Sequence, residues 1–312
     1  VTMGLLVKGQ WQDRWYDTEG SGGEFIREDS QFRGRIAPDS EFPPESGRYH
    51  LYVSLACPWA HRTLIFRKLK QLEEHIGVSV VHPHMLENGW EYRAEDGADA
   101  EPQFGYDYHW QLYTHAKADY SGRVTVPVLW DTQRETIVNN ESAEIIRIFN
   151  ADFNALTGNE QDFYPEPLRA QIDAINEDVY AHINNGVYRC GFATRQAPYE
   201  KAYRALFAAL DRCEERLREG GPWLLGETQT EADWRLFTTL VRFDAVYYTH
   251  FKCNARRIAE YPALSAYLQR LLAVPGVRET VNLEHIKQHY FYSHETINPH
   301  RIVPLGPVTP LG

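Results

Sequence analysis

The residue best suited to chemistry is Cys57, in the stretch SLACPWAHRTLIF at positions 54–66. It lies between a run that alternates like a β-strand and a run with helical spacing, and Pro58 follows it. Proline suits the first turn of a helix because it lacks the N–H group that would have no partner there. We therefore expect Cys57 at a helix N-terminus, where free N–H groups and the helix dipole favour a thiolate. His61 and Arg62, one turn along, would add positive potential.

Ala60 limits the mechanism, because it stands where a second cysteine would complete a dithiol redox motif. A lone thiolate that attacks sulfur remains in a mixed disulfide until another thiol arrives. Glutathione is the abundant thiol of the cytoplasm, so the sequence predicts glutathione as the co-substrate. The other cysteines, Cys190, Cys213 and Cys253, are interpreted as small buried residues.

The segments after Cys57 predict a place to hold glutathione. The stretch TVPVLWD begins the strand that would lie beside the cysteine in a thioredoxin-like layout. A cis proline at Val126-Pro127 would let a bound peptide pair with the Val126 backbone. In NNESAEIIR, Glu141 and Ser142 begin a helix whose free N–H groups and hydroxyl suit the glutamyl carboxylate, while Glu141 suits its ammonium group. Ordinary helix capping is the alternative role of these two residues.

The elements around these residues follow two patterns. From about residue 48 to 150, two βα units are closed by a β-hairpin around DTQR and a helix, which is the thioredoxin-like layout. The long segment 85–123 interrupts it and contains one helix candidate, YDYHWQLYTHAKADY. From about residue 165 the signals are helical, with a predicted C-cap at Gly220-Gly221 and with Thr230 and Asp233 in capping-box spacing.

The expected fold class is therefore α/β plus all-α. The expected divisions are an irregular N-terminal extension (1–47), a thioredoxin-like glutathione-binding domain (48–150), an all-helical substrate domain (151–292) and an irregular C-terminal tail (293–312).

Size and composition agree with two domains. The chain has 312 residues, of which 43% are hydrophobic, and a formal net charge of −11. A chain of this length exceeds the usual size of one core. Without a long basic cluster, nucleic acid and anionic membrane surfaces are not expected as partners. No apolar run has the length of a membrane span and no signal-peptide pattern opens the chain. Four cysteines in so long a chain fit a reducing cytoplasm.

His285 and His289, in HIKQH, have the spacing of a helical metal pair. No third ligand pattern such as His-Glu-x-x-His accompanies them in the sequence. No metal is therefore expected.

At these residues the sequence resembles the glutathione transferase superfamily, and more narrowly the glutathionyl-hydroquinone reductases, also called Xi-class transferases. The matching segments are GEFIREDSQFRGRI, SLACPWAHRTLI, SGRVTVPVLWD, NNESAEIIR, NNGVYRCGFATRQ and TEADWRLFTTLVRFDAVYYTHFKCN. They extend over most of the chain and include the N-terminal extension, which a generic transferase lacks. The resemblance implies a thioredoxin-like domain, a helical domain and a homodimer.

The resemblance also implies a reaction. The Cys57 thiolate attacks the glutathione sulfur of a glutathionyl-hydroquinone, which gives a Cys57–glutathione disulfide and a hydroquinone. A second glutathione then yields oxidised glutathione in a ping-pong cycle. A tyrosine hydroxyl donates the proton that the leaving aromatic carbon needs, or orients it. The implied candidates are Tyr188 and Tyr290 for catalysis, Tyr180 and Tyr248 as reserves in the substrate pocket, and Trp90 and Arg123 for glutathione.

Two alternatives stay open. An omega-like thioltransferase or dehydroascorbate reductase would use the same Cys57 on a disulfide or on dehydroascorbate. A non-catalytic carrier of aromatic ligands would keep the transferase fold, and its Cys57 would be incidental. The sequence leaves unassigned the physiological quinone and its pathway, the tyrosine that supplies the proton and the dimer interface.

Overall fold

The structure is a computed structural model that describes residues 4–308. The chain forms two compact units. The first contains the residues through Trp15, Glu28–Gln161 and Thr280–His289. The second contains Tyr16–Arg27, Asp162–Glu279 and the residues from Tyr290 onward.

The strands of the first unit belong to two sheets. They are β1 (Leu5–Val7), β2 (Gln10–Gln12), β3 (Tyr49–Val53), β4 (Gly77–Val80), β5 (Gly122–Arg123), β6 (Val128–Asp131) and β7 (Thr136–Asn139). Four form a mixed sheet in the order β4-β3-β6-β7, in which β3 is parallel to β4 and antiparallel to β6, and β6 is antiparallel to β7. The predicted βα units and the hairpin around DTQR are therefore present. Leu51, Tyr52 and Val53 of β3 are fully buried, as expected of a central strand covered on both faces.

The helices of the first unit position the candidate site. They are α1 (Pro58–Leu69), α2 (Trp110–Ala116), α3 (Ser142–Ala151) and α4 (Asn154–Thr157). Helix α1 packs against α3, and α2 packs against β7. Helix α2 lies within the YDYHWQLYTHAKADY stretch, so the helix expected in the long segment is present.

The expectation that the first 47 residues are irregular is wrong for β1 and β2. These strands pair with β5 in the order β2-β1-β5. Lys8 and Gly9 connect β1 to β2 with φ values of 48° and 77°, which are typical of the tight turn of a β-hairpin. The third strand follows more than a hundred residues later in the chain. Local periodicity carries no information on such a distant pairing.

Among the described residues of the second unit, the regular secondary-structure elements are helices. Its helices are α5 (Arg169–Val179), α6 (Gly186–Gly191), α7 (Gln196–Gly220), α8 (Glu231–Arg242), α9 (Tyr248–His250) and α10 (Pro262–Leu272). Helix α11 (Leu283–Ser293) contributes residues through His289 to the first unit and the rest to the second. Short 3₁₀ helices are Glu166–Leu168, Ile258–Glu260 and Arg278–Thr280, and two π-helical segments are Tyr180–Asn184 and Phe243–Tyr247.

Two predicted helix ends are confirmed. Helix α7 ends at Gly220, and Gly221 follows with φ 117°, a conformation that favours glycine. Helix α8 begins with the predicted capping box: Thr230 Oγ1 accepts from the Ala232 N–H at 3.3 Å, and the Thr230 N–H donates to Asp233 Oδ2 at 2.9 Å. Among residues 4–308, no helix has both the length and the apolar character needed to cross a membrane.

Candidate active site

Cys57 is the N-cap residue of α1. Its φ and ψ are −72° and 121°, Pro58 is the first helical residue, and the Cys57 carbonyl accepts from the His61 N–H at 3.0 Å. The hydroxyl of Ser54 accepts from the N–H groups of Ala56 and Cys57 at 3.1 and 3.3 Å, which fixes the turn before the helix. The predicted position of Cys57 at a helix N-terminus is therefore present in the structure.

The Cys57 sulfur faces the loop before β6. Cys57 Sγ lies 3.7 Å from the carbonyl oxygen of Val126, and the Val126–Pro127 peptide bond is cis, as the sequence predicted. Each of Cys57 and Val126 is 4% exposed. The structure thus brings together three of the predicted site residues.

Arg62 and His61 have contacts of their own. His61 Nε2 lies 2.7 Å from Thr280 Oγ1, and its side chain is fully buried. Arg62 Nη1 donates to Ser142 Oγ at 3.4 Å, and its guanidinium lies 4.8 Å from the centre of the Trp59 ring. Arg62 therefore places a positive charge beside the Ser142 hydroxyl, where the predicted site receives a carboxylate. From the sequence, Arg62 is predicted only to add positive potential near Cys57.

Glu141 and Ser142 begin α3. Glu141 is the N-cap residue, and its carboxylate accepts from the Ala143 N–H at 3.0 Å. Ser142 is the first helical residue and is 3% exposed. The capping role that the sequence left open is therefore present. It is compatible with ligand binding, because a carboxylate has about four acceptor positions.

Trp90 and Arg123 are both buried. The Trp90 ring stacks on the His289 ring with 4.8 Å between centres. Arg123 Nη1 donates to the carbonyl of Arg14 at 2.7 Å, and Arg123 Nε lies 3.9 Å from the Glu28 carboxylate. Arg123 therefore contacts the N-terminal extension. A role of either residue in glutathione binding stays a prediction.

The tyrosine candidates belong to the second unit and differ in their surroundings. The Tyr290 hydroxyl is hydrogen-bonded to that of Tyr188 and lies 2.9 Å from that of Tyr247. Burial raises the pKa of Tyr290 well above its ordinary value, so this hydroxyl keeps its proton. Tyr180, by contrast, is 38% exposed, and Tyr248 is half-buried with the Arg257 guanidinium 6.0 Å from its ring centre.

Tyr247 belongs to this hydroxyl cluster but is not among the residues predicted from the sequence. Phe243–Tyr247 is π-helical, and such a segment inserts a residue into the helical register. Counting 3.6 residues per turn from α8 therefore does not show which of two adjacent tyrosines faces inward. A second π-helical segment, Tyr180–Asn184, precedes the helix that carries Tyr188. The adjacent pair Tyr247-Tyr248 was the available signal.

Comparison with known proteins gives the family. Residues 56–152 match the glutathione S-transferase N-terminal domain and residues 196–270 match the glutathione S-transferase C-terminal domain. The chain is 53% identical to glutathionyl-hydroquinone reductase PcpF of Sphingobium chlorophenolicum, over 99% of this chain and 98% of the relative. The chain belongs to the glutathione transferase family.

Solved structures place it within the Xi class. The Xi glutathione S-transferase of Phanerochaete chrysosporium has a TM-score of 0.91 and 52% identity, with 94% of this chain and 95% of that chain covered. The glutathione-bound structure of YqjG from Escherichia coli K-12 has a TM-score of 0.89 and 48% identity, with 97% and 96% covered. The predicted fold class, a thioredoxin-like domain followed by a helical transferase domain, is confirmed.

His285 and His289, which have the spacing of a metal pair, are hydrogen-bonded to backbone carbonyls. His285 Nε2 lies 2.6 Å from the carbonyl oxygen of Asp96, and His289 Nδ1 lies 3.1 Å from that of Pro83. A carbonyl oxygen only accepts, so each ring donates an N–H there. These nitrogens are therefore used in holding the loops of the first unit.

A different group, His82, Glu95 and Asp96, brings its ligand atoms within 4.8 Å of one another. His82 Nδ1 accepts from the His84 N–H at 3.1 Å, so Nε2 carries the proton and donates to Asp96 at 2.9 Å. Arg93 Nη1 donates to Glu95 at 2.6 Å. A histidine that binds a metal through Nε2 normally donates from Nδ1. The group is thus linked by hydrogen bonds of His82 and by the Arg93–Glu95 ion pair.

Proposed function

We propose that this protein is a glutathionyl-hydroquinone reductase. The main structural support is the position of Cys57 at the N-terminus of α1, with its sulfur 3.7 Å from the Val126 carbonyl oxygen. The chain is also 53% identical to a relative named for that activity. The missing second cysteine, at Ala60, makes glutathione the resolving thiol.

In the first step the Cys57 thiolate attacks the glutathione sulfur of the aryl thioether. The ring carbon that bears the sulfur first takes a proton from the hydroxyl of Tyr188 or Tyr290 while a ring hydroxyl gives its proton back to that tyrosine, which makes the keto tautomer. As the thiolate attacks, the new S–S bond forms, the carbon–sulfur bond breaks and its electron pair restores the aromatic ring, leaving a phenolate oxygen. The proton that the Cys57 thiol lost earlier balances the one that this oxygen takes up. The products are a Cys57–glutathione disulfide and a hydroquinone.

In the second step a free glutathione thiolate attacks the mixed disulfide. One S–S bond forms and one breaks, so oxidised glutathione leaves and the Cys57 thiolate returns. The helix N-terminus supports both steps, because its free N–H groups and dipole stabilise the cysteine as a thiolate when it attacks and when it leaves.

The proposed glutathione site lies in the first unit. The Val126 backbone pairs with the tripeptide next to Pro127, Ser142 and the α3 N-terminus hold the glutamyl carboxylate, and Glu141 holds its ammonium. The charge of Arg62 beside Ser142 supports a carboxylate at that place. The remaining proposed residues are Trp90 and Arg123 for glutathione, and Tyr180 and Tyr248 for the substrate.

We also propose a homodimer that works in a reducing cytoplasm. All four cysteines are free thiols, and the second step requires a supply of reduced glutathione. The four-part division of the chain made from the sequence stays a proposal.

The test is intact mass of the protein after incubation with a glutathionyl-hydroquinone and no free glutathione. One glutathione should add to the wild type, and one equivalent of hydroquinone should appear. Cys57→Ser should give neither product. Cys213→Ala is the matched control and should react as the wild type does, because burial raises the pKa of Cys213 to about 12.

Free glutathione should then remove the adduct and start turnover. If the wild type forms no adduct and Cys57→Ser binds aromatic ligands normally, the protein is a carrier and the proposal fails. If the adduct forms only from a disulfide such as oxidised glutathione, the omega-like thioltransferase hypothesis replaces it.

A further inference from the structure

The long segment 85–123 places one tyrosine hydroxyl between the loop before β6 and the start of α3. Tyr113, in α2, is fully buried. Its hydroxyl donates to the Thr125 carbonyl at 2.9 Å and accepts from the Thr125 N–H at 3.2 Å and from Asn140 Nδ2 at 3.0 Å. A phenol hydroxyl has one donor and two acceptor positions. These three bonds use all of them, and the Thr125 hydroxyl lies 3.3 Å away as a further neighbour.

The two partners of Tyr113 immediately precede the two halves of the proposed glutathione site. Thr125 is followed by Val126, whose backbone is proposed to pair with the tripeptide. Asn140 is followed by Glu141, the N-cap of α3, which is proposed to hold the glutamyl group. One hydroxyl therefore connects the loop before β6 to the start of α3.

A histidine reinforces the Thr125 side of this connection. His109 Nε2 donates to the Thr125 carbonyl at 2.8 Å, and His109 Nδ1 accepts from the Tyr92 hydroxyl at 2.5 Å. Burial lowers the pKa of His109 to about 4, so the ring is neutral near pH 7 and keeps this donor and acceptor pattern. The Thr125 carbonyl thus accepts from two side chains of the long segment.

The N-terminal extension reinforces the Asn140 side. The Phe32 N–H donates to Asn140 Oδ1 at 3.2 Å, and the Asn140 N–H donates to the Phe32 carbonyl at 3.0 Å. Ser30 Oγ donates to the Asn140 carbonyl at 3.4 Å. The N-terminal extension therefore bonds the backbone and the Oδ1 atom of Asn140, and the Nδ2 atom donates to Tyr113.

We propose that Tyr113 is a positioning residue for glutathione, whose hydroxyl sets the separation of the Val126 backbone from Glu141 and Ser142. The tripeptide must contact both places at once, so a change in this separation weakens glutathione binding, while the position of Cys57 is still set by its bonds to Ser54 and His61. This inference rests on the proposed glutathione site.

The test is Tyr113→Phe, which removes the hydroxyl and keeps the ring. The Thr125 and Asn140 N–H donors then lose their acceptor, and we expect the KM for the glutathionyl-hydroquinone, whose tripeptide occupies this site in the first step, to rise about tenfold, with kcat changed less than about threefold. Glutathione binding by calorimetry in the Cys57→Ser background should weaken by the same factor. The matched control is Tyr49→Phe, whose side chain is also buried and whose hydroxyl donates to the Pro43 carbonyl at 2.6 Å.

Thermal unfolding of both variants separates positioning from general loss of stability. If the KM for the glutathionyl-hydroquinone is the same in Tyr113→Phe as in Tyr49→Phe, or if only kcat falls, the inference is wrong and the proposed function is unaffected. Failure of the wild type to form the Cys57 adduct would instead contradict the proposed function. If Tyr113→Phe does not fold, Asn140→Ala decides the question: a raised KM for the glutathionyl-hydroquinone supports the inference and an unchanged one overturns it.

Discussion

Cys57 Sγ lies 3.7 Å from the carbonyl oxygen of Val126, although 69 residues separate them in the chain. A peptide that pairs with the Val126 backbone therefore carries its own side chains next to the cysteine sulfur. When that peptide is glutathione, the two sulfurs come within reach of each other without a large movement. This relationship links the proposed binding step to the proposed chemical step.

We expect Cys57 to be the thiol that a small alkylating reagent modifies fastest in the folded protein. All four cysteines are buried, so exposure alone does not distinguish them. Burial raises the pKa of Cys213 to about 12 and that of Cys253 well above its ordinary value, which leaves them almost no thiolate at pH 7. Iodoacetamide labelling followed by peptide mass spectrometry should give at least about tenfold slower modification of these two. Equal rates at the three sites would contradict the prediction.

The hydroxyl of Tyr290 should act in the first half-reaction only. We expect Tyr290→Phe to slow hydroquinone release about a hundredfold and to change resolution of the adduct by less than about threefold, because only the first half-reaction protonates carbon. Tyr247→Phe is the matched control, since it removes one neighbouring hydroxyl of the same cluster. Its effect should be smaller than that of Tyr290→Phe. Single-turnover kinetics measure both steps, and a similar loss in each would show that Tyr290 is structural.

The sequence predicted most of the fold because its signals are local. Alternation marked β3, proline and cysteine marked the start of α1, and the spacing of Thr230 and Asp233 marked the start of α8. Each depends on neighbours within a few residues, where the backbone itself sets the pattern. The cis bond before Pro127 was predicted from the order of the elements.

The parts that the sequence did not reveal depend on contacts between distant residues. The pairing of β1 with β5 and the bonds from Tyr113 to Thr125 and Asn140 join segments that local periodicity cannot relate. Tyr247 was missed for a different reason, because a π-helical segment shifts the register that a 3.6-residue count assumes. The roles of the candidate site residues stay predictions.

The capping box of α8 should contribute measurably to stability. Thr230→Ala removes one capping bond and should lower the free energy of unfolding by about 1 kcal/mol. Asp233→Ala should cost about 3 kcal/mol, because it leaves several buried donors without an acceptor. Asp233 Oδ2 accepts from the Thr230 N–H, and Asp233 Oδ1 accepts from the Leu224 N–H at 3.0 Å and from the Tyr267 hydroxyl at 2.6 Å.

Urea denaturation measures these changes, and the chain offers a matched control. Glu260 accepts from the Arg257 N–H at 2.7 Å on an exposed turn, which is the counterpart of the bond from the Thr230 N–H to Asp233. Water can replace that acceptor, so Glu260→Ala should cost less than about 1 kcal/mol. A cost for Asp233→Ala no larger than that of Glu260→Ala would contradict the buried capping network.

Stability should fall with acid because two buried histidines are neutral in the folded protein. Burial lowers the pKa of His250 to about 3 and that of His109 to about 4. The unfolded chain binds a proton at each of these residues below about pH 6.5, whereas the folded chain does not until pH 3 or 4. Their contribution is therefore complete above pH 6.5 and is lost as pH falls, by about 1.4 kcal/mol per pH unit for each histidine between roughly pH 6 and pH 4.

Urea denaturation across this range measures the slope. Carboxylates also contribute to the slope, so a histidine variant is needed to isolate the histidine part. His250→Asn should lower the slope of the unfolding free energy against pH by the equivalent of about one bound proton. An unchanged slope would show that His250 is protonated in the folded state.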